Sequence, residues 1–318
     1  MRKRDTLLTL ALLAGIASLF WAEEARAQDW TGVPIPAEAD EGLVWQLQEA
    51  FSDDFNYTGK GAAFAARWRD TYINTWIGPG LTEWAADHSV IGGGHLVINA
   101  SRKAGTKKVH CGVVTSPVPL IYPVFMEASI QVSGLVLSSN FWLLSADDRQ
   151  ELDIVETYGS DRSEWFAQRM STNYHIFERS PETNEILANH NDQQFSTLPD
   201  GAPLRQGFHR FAAYWKDPWH VDFFLDGVLV RRLRRDGITD PEEDKGLYRP
   251  MFLIIDTEDH DWRSDQDIVA SDEELTDESI NKMRVDWVRV YKPVEANAPS
   301  AAPDQSWGQV KQSKQRSN

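Results

Sequence analysis

Three carboxylates lie close together in the segment Glu151-Leu-Asp-Ile-Val-Glu156. Side chains alternate along a regular β-strand, so Glu151 and Asp153 share one face and Glu156 lies on the other. One extra residue in the strand, a β-bulge, would bring Glu156 to the same face as the other two acids. Close carboxylates raise one another's pKa, so one can donate a proton while another stays ionised. These are the two roles that break a glycosidic bond.

The acidic segment alone leaves catalysis open, because similar patterns occur on solvated faces of helices and strands. The chain also contains 13 tryptophans, 12 of them after residue 27. Indole rings stack on the apolar faces of sugars, and clefts lined by tryptophan are typical of polysaccharide-binding proteins. Strand-like patterns predict that five tryptophans fill the core: Trp45, Trp68, Trp215, Trp219 and Trp287. Positions near loops or near the acids predict that four line a groove: Trp76, Trp84, Trp142 and Trp262.

The elements that must position these residues are mostly strands. Runs of alternating or β-branched residues are separated by turn residues, and Asp226-Gly227 predicts a two-residue hairpin turn. A capping box at 271–274 predicts a short helix to about Met283. The predicted strands are His95–Ala100, Val124–Val132, Leu135–Leu144, Glu151–Thr157, Phe208–Trp215, Val221–Leu225, Val228–Leu233, Met251–Asp256 and Arg284–Tyr291. Many strands and few helices predict an all-β sandwich.

The two ends of the chain differ in composition from its middle. Residues 1–27 carry basic residues, an apolar run and a small-x-small site, which predicts a signal peptide; an uncleaved membrane anchor is the alternative. Residues 28–293 are predicted to form one catalytic domain and residues 294–318 a disordered polar tail. Cys111 is the only cysteine, so no intrachain disulfide can form.

The chain is strongly acidic. Its formal net charge is −16, and residues 1–27 contribute +1 (four basic and three acidic), which leaves −17 for the mature chain. Nucleic acids, anionic lipids and heavily sulfated polymers are poor partners for such a surface. A neutral substrate fits this charge best.

Several segments resemble one known family. They are residues 138–145 with the acidic segment, 76–84 (Trp-Ile-Gly-Pro-Gly-Leu-Thr-Glu-Trp), 171–177 (Ser-Thr-Asn-Tyr-His-Ile-Phe), 255–263 (Ile-Asp-Thr-Glu-Asp-His-Asp-Trp-Arg) and 285–293 (Val-Asp-Trp-Val-Arg-Val-Tyr-Lys-Pro). These segments and their order along the chain resemble glycoside hydrolase family 16. The segments 76–84, 171–177 and 255–263 resemble its β-agarases. The bulged acidic strand is similar to that of agarases, porphyranases and carrageenases. The resemblance covers about residues 40–293.

The resemblance implies a β-jelly-roll sandwich of two curved antiparallel sheets with an open, concave substrate cleft. It implies a retaining mechanism in which Glu151 is the nucleophile, Glu156 is the general acid/base and Asp153 orients the nucleophile. It further implies sugar contacts from Trp76, Trp142, His175, Arg179, Glu258 and Trp262. Each of the three polar residues has an alternative role: His175 as a structural histidine, Arg179 as a surface charge and Glu258 as a salt-bridge partner.

The expected activity is that of a secreted (extracellular or periplasmic) endo-β-agarase, a monomer that binds an agar-type galactan and neither nucleic acid nor membrane. No cofactor is expected for catalysis, but a structural calcium ion is expected at Asp286 with main-chain oxygens near Asp53 or Gly94. Two alternatives stay open. A porphyranase would need an arginine near Trp142 for sulfate, where Leu143 and Leu144 follow. A non-catalytic galactan-binding sandwich would have no use for three aligned acids.

Overall fold

A computed structural model describes residues 27–241 and 243–296. The strands in this part of the chain are β1 (Leu43–Leu47), β2 (Thr82–Trp84), β3 (Ser89–Gly92), β4 (His95–Arg102), β5 (Val109–Cys111), β6 (Val113–Thr115), β7 (Val124–Gln131), β8 (Ser138–Ser145), β9 (Gln150–Thr157), β10 (Arg169–Arg179), β11 (Ile186–Asn191), β12 (Gln194–Thr197), β13 (His209–Asp217), β14 (His220–Leu225), β15 (Val228–Leu233), β16 (Met251–Glu258) and β17 (Lys282–Glu295). The α-helices are α1 (Ala62–Ala65), α2 (Glu164–Ala167), α3 (Asp261–Ser264) and α4 (Asp272–Thr276). Short 3-10 helices cover Glu49–Phe51, Ala86–His88 and Arg235–Gly237.

The strands form two sheets. The larger sheet has the order β15-β14-β13-β7-β17-β4-β5-β2, with β1 paired to β17 and β3 paired to β4. The smaller sheet has the order β11-β10-β9-β8-β16-β6, with β12 paired to β10. The strand pairs are antiparallel except for β2 with β5.

The core lies between the two sheets. Phe141, Leu143 and Leu152 from the smaller sheet belong to the same buried cluster as Met126 and Val288 from the larger sheet. Side chains alternate along a strand, so the residues between these core positions of β8 and β9 face away from the core. The outer face of the smaller sheet therefore carries Asn140, Trp142 and the acids of β9, and the packed core holds that face rigidly in place.

Strand β9 contains the predicted β-bulge. Opposite β8, Phe141 pairs with Val155 and Trp142 pairs with Asp153, so Ile154 is the extra residue. Ile154 and Val155 are both buried in the core cluster. Two successive inward side chains shift the alternation by one residue, which turns Glu156 to the outer face.

All nine predicted strands coincide with strands of the structure, although β8 begins at Ser138, three residues after the predicted start. The turn at Asp226-Gly227 joins β14 to β15, and both residues have the positive φ that a type I′ turn requires. The capping box at Ser271 is present, but the predicted length of its helix is wrong. Helix α4 ends at Thr276 because the backbone of Asp277 is extended and its carboxylate accepts hydrogen bonds from Ser279.

The predicted signal peptide, apart from Ala27, lies outside the described residues. The same is true of the predicted tail except for residues 294–296, and β17 extends two residues beyond the predicted end of the domain. Within the described ranges, none of the helices has the length and apolar character needed to cross a bilayer. The five tryptophans predicted to lie in the core are buried there or packed against it.

Candidate active site

A cavity of about 650 Å³ lies over the outer face of the smaller sheet. Its floor is formed by polar and acidic residues of four neighbouring strands: Asn140 and Trp142 of β8, Glu151, Asp153 and Glu156 of β9, Asn173 and His175 of β10, and Glu258 of β16. Aromatic residues from flanking loops, from helices α2 and α3 and from β12 surround this floor. The bulge thus assembles three acids on one surface that a ligand can reach.

Each of the three acids lies between two neighbours in the sheet. Glu151 pairs with Leu144 and His175, Asp153 with Trp142 and Asn173, and Glu156 with Asn140 and Ser171. The Glu151 and Glu156 side chains keep 19% and 17% of their surface exposed, whereas Asp153 between them is buried. The two glutamates can therefore contact a ligand, whereas the buried Asp153 can influence the ligand only through its neighbours.

His175 connects two of the acids. Its Nε2 lies 3.5 Å from Glu151 Oε1 and 3.4 Å from Asp153 Oδ2. Burial lowers the pKa of His175, but the two carboxylates outweigh it and raise that pKa to about 10. Burial, reinforced by the charge of Asp153, raises the pKa of Glu151, and His175 opposes this rise. A positive charge on His175 is thus the influence that favours an ionised Glu151.

The protonation of His175 is also coupled to Asn173. Asn173 Oδ1 accepts hydrogen bonds from the main-chain N–H groups of Tyr174 and Asp192, which directs its Nδ2 to His175 Nε2 at 2.9 Å. His175 Nδ1 lies 2.9 Å from Asn189 Oδ1. In a neutral His175 ring, Nε2 accepts from the Asn173 amide and Nδ1–H donates to Asn189 Oδ1. In a charged ring, Nε2 carries a proton that faces the carboxylates of Glu151 and Asp153. The charge of His175 therefore depends on which of these neighbours engages Nε2.

Glu156 has a different environment. Burial, with the charge of Asp153, raises its pKa from 4.5 to about 8. His260 Nε2 lies 3.5 Å from Glu156 Oε1, yet burial lowers the pKa of His260 to about 4. Near pH 7 this contact is consequently between two neutral groups. Ser138 Oγ donates to the main-chain oxygen of Glu258 and accepts from His260 Nε2 at 2.9 Å, so the neutral ring carries its proton on Nε2.

Strand β16 carries two further acids, Glu258 in the floor of the cavity and Asp256 beneath it. Asp256 accepts hydrogen bonds from Trp142 Nε1 at 2.9 Å and from Asn140 Nδ2 at 2.8 Å. Burial raises the pKa of Asp256 to about 7. Burial also raises the pKa of Glu258 well above its usual range, and the charges of Asp256 and Glu156 add to this. The two hydrogen bonds from Trp142 and Asn140 fix the ring of Trp142 and hold Asp256 in place.

Aromatic residues form two walls around the floor. The Trp262 wall consists of Trp262, Phe166, Trp165 and Phe195, whose consecutive ring centroids lie 5.9, 4.8 and 5.0 Å apart. The Trp76 wall consists of Trp76, Tyr72 and Trp84; Tyr72 stacks on Trp84 at 5.5 Å and contacts Trp76 at 5.3 Å. Trp76, Trp165, Phe195 and Trp262 are each more than 40% exposed, so they offer ring faces or edges to a ligand.

The loop that carries Trp76 is fastened to the segment that carries Trp262. Gly80 N donates to Asp261 Oδ1 at 3.0 Å, and Leu81 N donates to Asp259 Oδ2 at 2.8 Å. Gly80 has a φ of +52°, and a Cβ at this position would collide with the Asp259 carboxylate. Glycine is therefore required for this close approach, which holds the two walls at a fixed separation.

Residues 45–293 match the family model described as "Beta-porphyranase A-D, GH16 domain". The chain belongs to glycoside hydrolase family 16.

Two relatives and a solved structure illustrate the relationship. Beta-agarase AgaB34 of Agarivorans albus is 48% identical over 87% of this chain and 63% of that protein. The extracellular agarase of Streptomyces coelicolor is 40% identical over 88% of this chain and 94% of that protein. The sequence of β-agarase A from Zobellia galactanivorans is 41% identical, and its structure matches this one with a TM-score of 0.77 over 85% of this chain and all of that one. A structure of β-agarase A in complex with oligoagarose has also been solved. This chain thus spans less than two thirds of AgaB34, and its two sheets form the jelly roll of family 16 agarases.

Most of the site residues predicted for the family 16 domain meet in the cavity. Its lining includes the three acids together with Trp76, Trp142, His175, Glu258 and Trp262. Trp142 is 6% exposed, so it offers the cavity only part of its ring.

Two predicted positions lie elsewhere. Arg179 is absent from the cavity lining, because its guanidinium donates to the main-chain oxygens of Asp148 at 2.8 Å and Asn184 at 2.9 Å. Arg179 thus supports two loops, and its sugar contact stays a prediction. Trp84, predicted to lie in the groove, packs behind the Tyr72 ring and does not line the cavity.

The cavity of the family 16 domain also contains residues that the sequence did not single out: Tyr72, Pro79, Asn140, Tyr158, Trp165, Phe166, Asn173, Asn191, Gln193, Phe195 and His260. His260 lies inside the agarase-like segment 255–263, so its presence there was a usable signal. Trp165, Phe166 and Phe195 come from short elements with no clear periodicity, and only the fold brings them to the floor.

Two places in the family 16 domain are considered for a metal ion, the acids of the floor and Asp286. Ligand atoms of Glu151, Asp153 and His175 all lie within 4.8 Å of one another, but these residues belong to the cavity floor. Asp286 is the extra residue of a bulge in β17, and burial together with the charges of Asp29 and Asp54 raises its pKa.

Asp286 supplies a carboxylate of the type that calcium prefers. Among the described residues, however, Asp286 does not belong to a group of three side-chain ligands that lie within 4.8 Å of one another. The expected contribution from Asp53 is already partly used, because its main-chain oxygen accepts a hydrogen bond from Val288 N at 2.8 Å.

Proposed function

We propose that this chain is an endo-acting β-agarase that hydrolyses the β-1,4 galactosidic bonds of agarose with retention of configuration. The observation that carries the proposal is the bulge in β9, which places Glu151, Asp153 and Glu156 together on the floor of a cavity with aromatic walls. Two relatives, one named a β-agarase and one named an extracellular agarase, support the choice of substrate, as does the structure of β-agarase A with oligoagarose.

The two glutamates have different neighbours, although burial raises the pKa of both. Glu156 has a pKa of about 8, so it is protonated at neutral pH and gives its proton to the glycosidic oxygen as that bond breaks. Glu151 attacks the anomeric carbon in the same step and forms a glycosyl ester. The charge of His175 favours the ionised form that Glu151 needs for this attack. Ionised Glu156 then takes a proton from water, which hydrolyses the ester and restores both carboxyl groups.

Agarose is favoured over a sulfated galactan such as porphyran, although the matching family model carries the porphyranase name. Across the described residues that line the cavity, neither an arginine nor a lysine occurs. Sulfate groups are commonly bound by arginine, whose planar guanidinium offers paired donors.

A hydrolysis and binding experiment with E151Q tests the proposed mechanism. Wild-type protein should release reducing ends from agarose, whereas E151Q should lose hydrolysis and still bind oligoagarose in calorimetry. E49Q replaces an exposed carboxyl outside the cavity and should keep wild-type activity. Binding without hydrolysis by the wild-type protein would instead identify a galactan-binding module.

We also propose that the protein is secreted and acts as a monomer, with residues 1–27 as its signal peptide. The composition of that segment and the relative named an extracellular agarase support secretion. We retain a structural calcium ion at Asp286 as a proposal, supported by its carboxylate and by the negative charges of Asp29 and Asp54 nearby.

A further inference from the structure

His260 lies between two hydrogen-bond acceptors beside the general acid. It directly precedes helix α3 and lines the cavity together with Glu156. Its Nε2 lies 2.9 Å from Ser138 Oγ, 3.5 Å from Glu156 Oε1 and 3.7 Å from Glu258 Oε1. The Glu156 contact need only shorten from 3.5 Å to the 2.9 Å of the serine contact to become a hydrogen bond. A small movement of the ring thus changes the partner of the Nε2 proton.

Ser138 accepts the Nε2 proton in this structure. Its hydroxyl hydrogen is already donated to the main-chain oxygen of Glu258 at 3.2 Å, so toward His260 the hydroxyl can only accept. The hydroxyl keeps its own bond to that main-chain oxygen whether or not His260 donates to it. The Nε2 proton can therefore leave Ser138 without leaving the buried hydroxyl group unpaired.

The charge of Glu156 changes during the reaction, whereas the charge of His260 does not. Burial lowers the pKa of His260 to about 4 against the opposing charge of Asp153, and the charge of Arg263 adds to the decrease. Burial raises the pKa of Glu156 to about 8, so Glu156 is protonated at neutral pH and becomes a carboxylate when it protonates the glycosidic oxygen. A carboxylate is a stronger acceptor than a hydroxyl group. Proton transfer to the substrate thus reverses the order of the two acceptors.

The other charged groups around this pair do not compete for the Nε2 proton. Of the carboxyl groups in the described part of the chain, those of Glu156 and Glu258 lie within 4.0 Å of His260 Nε2. Glu258 Oε1 already accepts from Asn140 Nδ2 at 3.2 Å, and burial raises the pKa of Glu258 well above its usual range, so this acid is neutral at pH 7. The remaining titratable groups that act on the pair are Asp153 of β9, Tyr158 after β9, His175 of β10, Asp256 of β16, and Asp261 and Arg263 of α3. Ionised Glu156 is therefore the strongest acceptor within reach of His260.

We propose that His260 is a positioning residue whose Nε2–H turns from Ser138 to the Glu156 carboxylate once Glu156 has protonated the leaving oxygen. The proton stays on His260, and only its hydrogen-bond partner changes. The new bond stabilises ionised Glu156 while the glycosyl ester exists and orients its carboxylate toward water. When Glu156 takes a proton from that water, Nε2–H returns to Ser138. The assignment rests on the proposed retaining mechanism and adds to it a neutral donor for the charge left on Glu156.

The test is the pH profile of kcat/KM on agarose for wild-type protein, H260L, H260Q and S138A. H260L removes the donor and makes ionised Glu156 less stable, so the basic limb of the profile should move up by about one pH unit and kcat should fall about 10-fold. H260Q keeps a donor near the Nε2 position and should restore most of kcat. S138A removes the resting acceptor and leaves the donor to Glu156, so the basic limb should move down. H220N, which replaces a histidine outside the cavity lining, should behave as wild type.

The opposite shifts expected of H260L and S138A separate a change of hydrogen-bond partner from a general structural role. A basic limb that stays in place in both variants refutes the role of His260 while the agarase function stands. Shifts in the same direction also overturn it, because a general disturbance of the site would act alike in both variants. If H260L no longer melts cooperatively, H260Q and S138A decide between these outcomes.

A second measurement follows the ionisation of Glu156 without any substrate. In protein with 13C-labelled glutamate, the carboxyl signal of Glu156 is assigned by its absence from E156Q. Its titration midpoint should rise in H260L and fall in S138A relative to wild type. Equal midpoints in the three proteins would refute the role of His260 whatever the activity. Shifted midpoints in a protein that does not cleave agarose would support the contact with Glu156 and overturn the proposed function alone.

Discussion

Replacing Glu156 by glutamine should make the protein more stable at alkaline pH than the wild type. Glu156 is enclosed by the floor of the cavity and lies beside Asp153, which raises its pKa from 4.5 to about 8. The folded protein therefore keeps this proton up to about pH 8, whereas the unfolded chain loses it near pH 4.5. Since the folded state binds more protons in this interval, the contribution of Glu156 to stability falls as the pH rises through it.

The size of the effect follows from the shift in pKa. The difference between 4.5 and about 8 corresponds to on the order of 5 kcal/mol of unfolding free energy, at about 1.4 kcal/mol per pH unit. This is an upper value, because the side chain retains 17% exposure and the neighbouring acids titrate with it. E156Q cannot ionise, so it avoids this cost above pH 8 and gains little at pH 5. Its activity should fall by about 10²–10⁴-fold, because the general acid is lost.

The assay is urea unfolding of wild type, E156Q and the exposed control E49Q at pH 5, 7 and 9. The difference in unfolding free energy between E156Q and wild type should grow with pH by at least about 1 kcal/mol. E49Q should show no such growth. A difference between E156Q and wild type that stays constant from pH 5 to pH 9 would refute the reasoning about the buried proton.

Three further predictions concern the site and its supports. In H175Q the positive charge beside Glu151 is lost, so the acid limb of the pH profile of kcat/KM should move up by about one pH unit. An unmoved acid limb would show that His175 is neutral in the active enzyme. G93A is expected to cost only about 1–2 kcal/mol of unfolding free energy, because a Cβ at this position meets no atom within 4 Å. G80A should destabilise the protein by more than G93A does, and only G80A should raise KM. Equal effects of the two variants in thermal unfolding would contradict the clamp between the two walls. Calcium at about 100 times its Kd should stabilise wild type by about 2.7 kcal/mol and leave D286N unchanged, whereas an equal response of both proteins would place the ion elsewhere.

The bulged catalytic strand was predictable because its apolar and acidic residues break the two-residue period at one point. The two inward residues Ile154 and Val155 are the physical expression of that break. The sandwich was predictable for a similar reason, since each strand carries its own alternating pattern. Helix α4 was predicted too long because the capping box determines where a helix begins but not where it ends.

Other features depend on contacts between distant parts of the chain. Arg179 follows the agarase-like segment, but the loops at Asp148 and Asn184 engage its guanidinium through main-chain oxygens that leave no trace in the sequence. Trp165 and Phe195 meet because β12 pairs with β10, and that pairing is not encoded by any local pattern. The distal part of the cavity therefore required the structure.

The most direct test of the central claim is a product analysis of the mature protein, from Gln28, on agarose and porphyran in parallel. Hydrolysis by the proposed mechanism predicts even-numbered neutral oligosaccharides from agarose, with galactose at the new reducing end, and little release from porphyran. Sulfated products from porphyran with intact agarose would contradict the substrate assignment while leaving the fold and the roles of the acids in place. No products from either polymer would contradict the assignment of Glu151 and Glu156 as a catalytic pair.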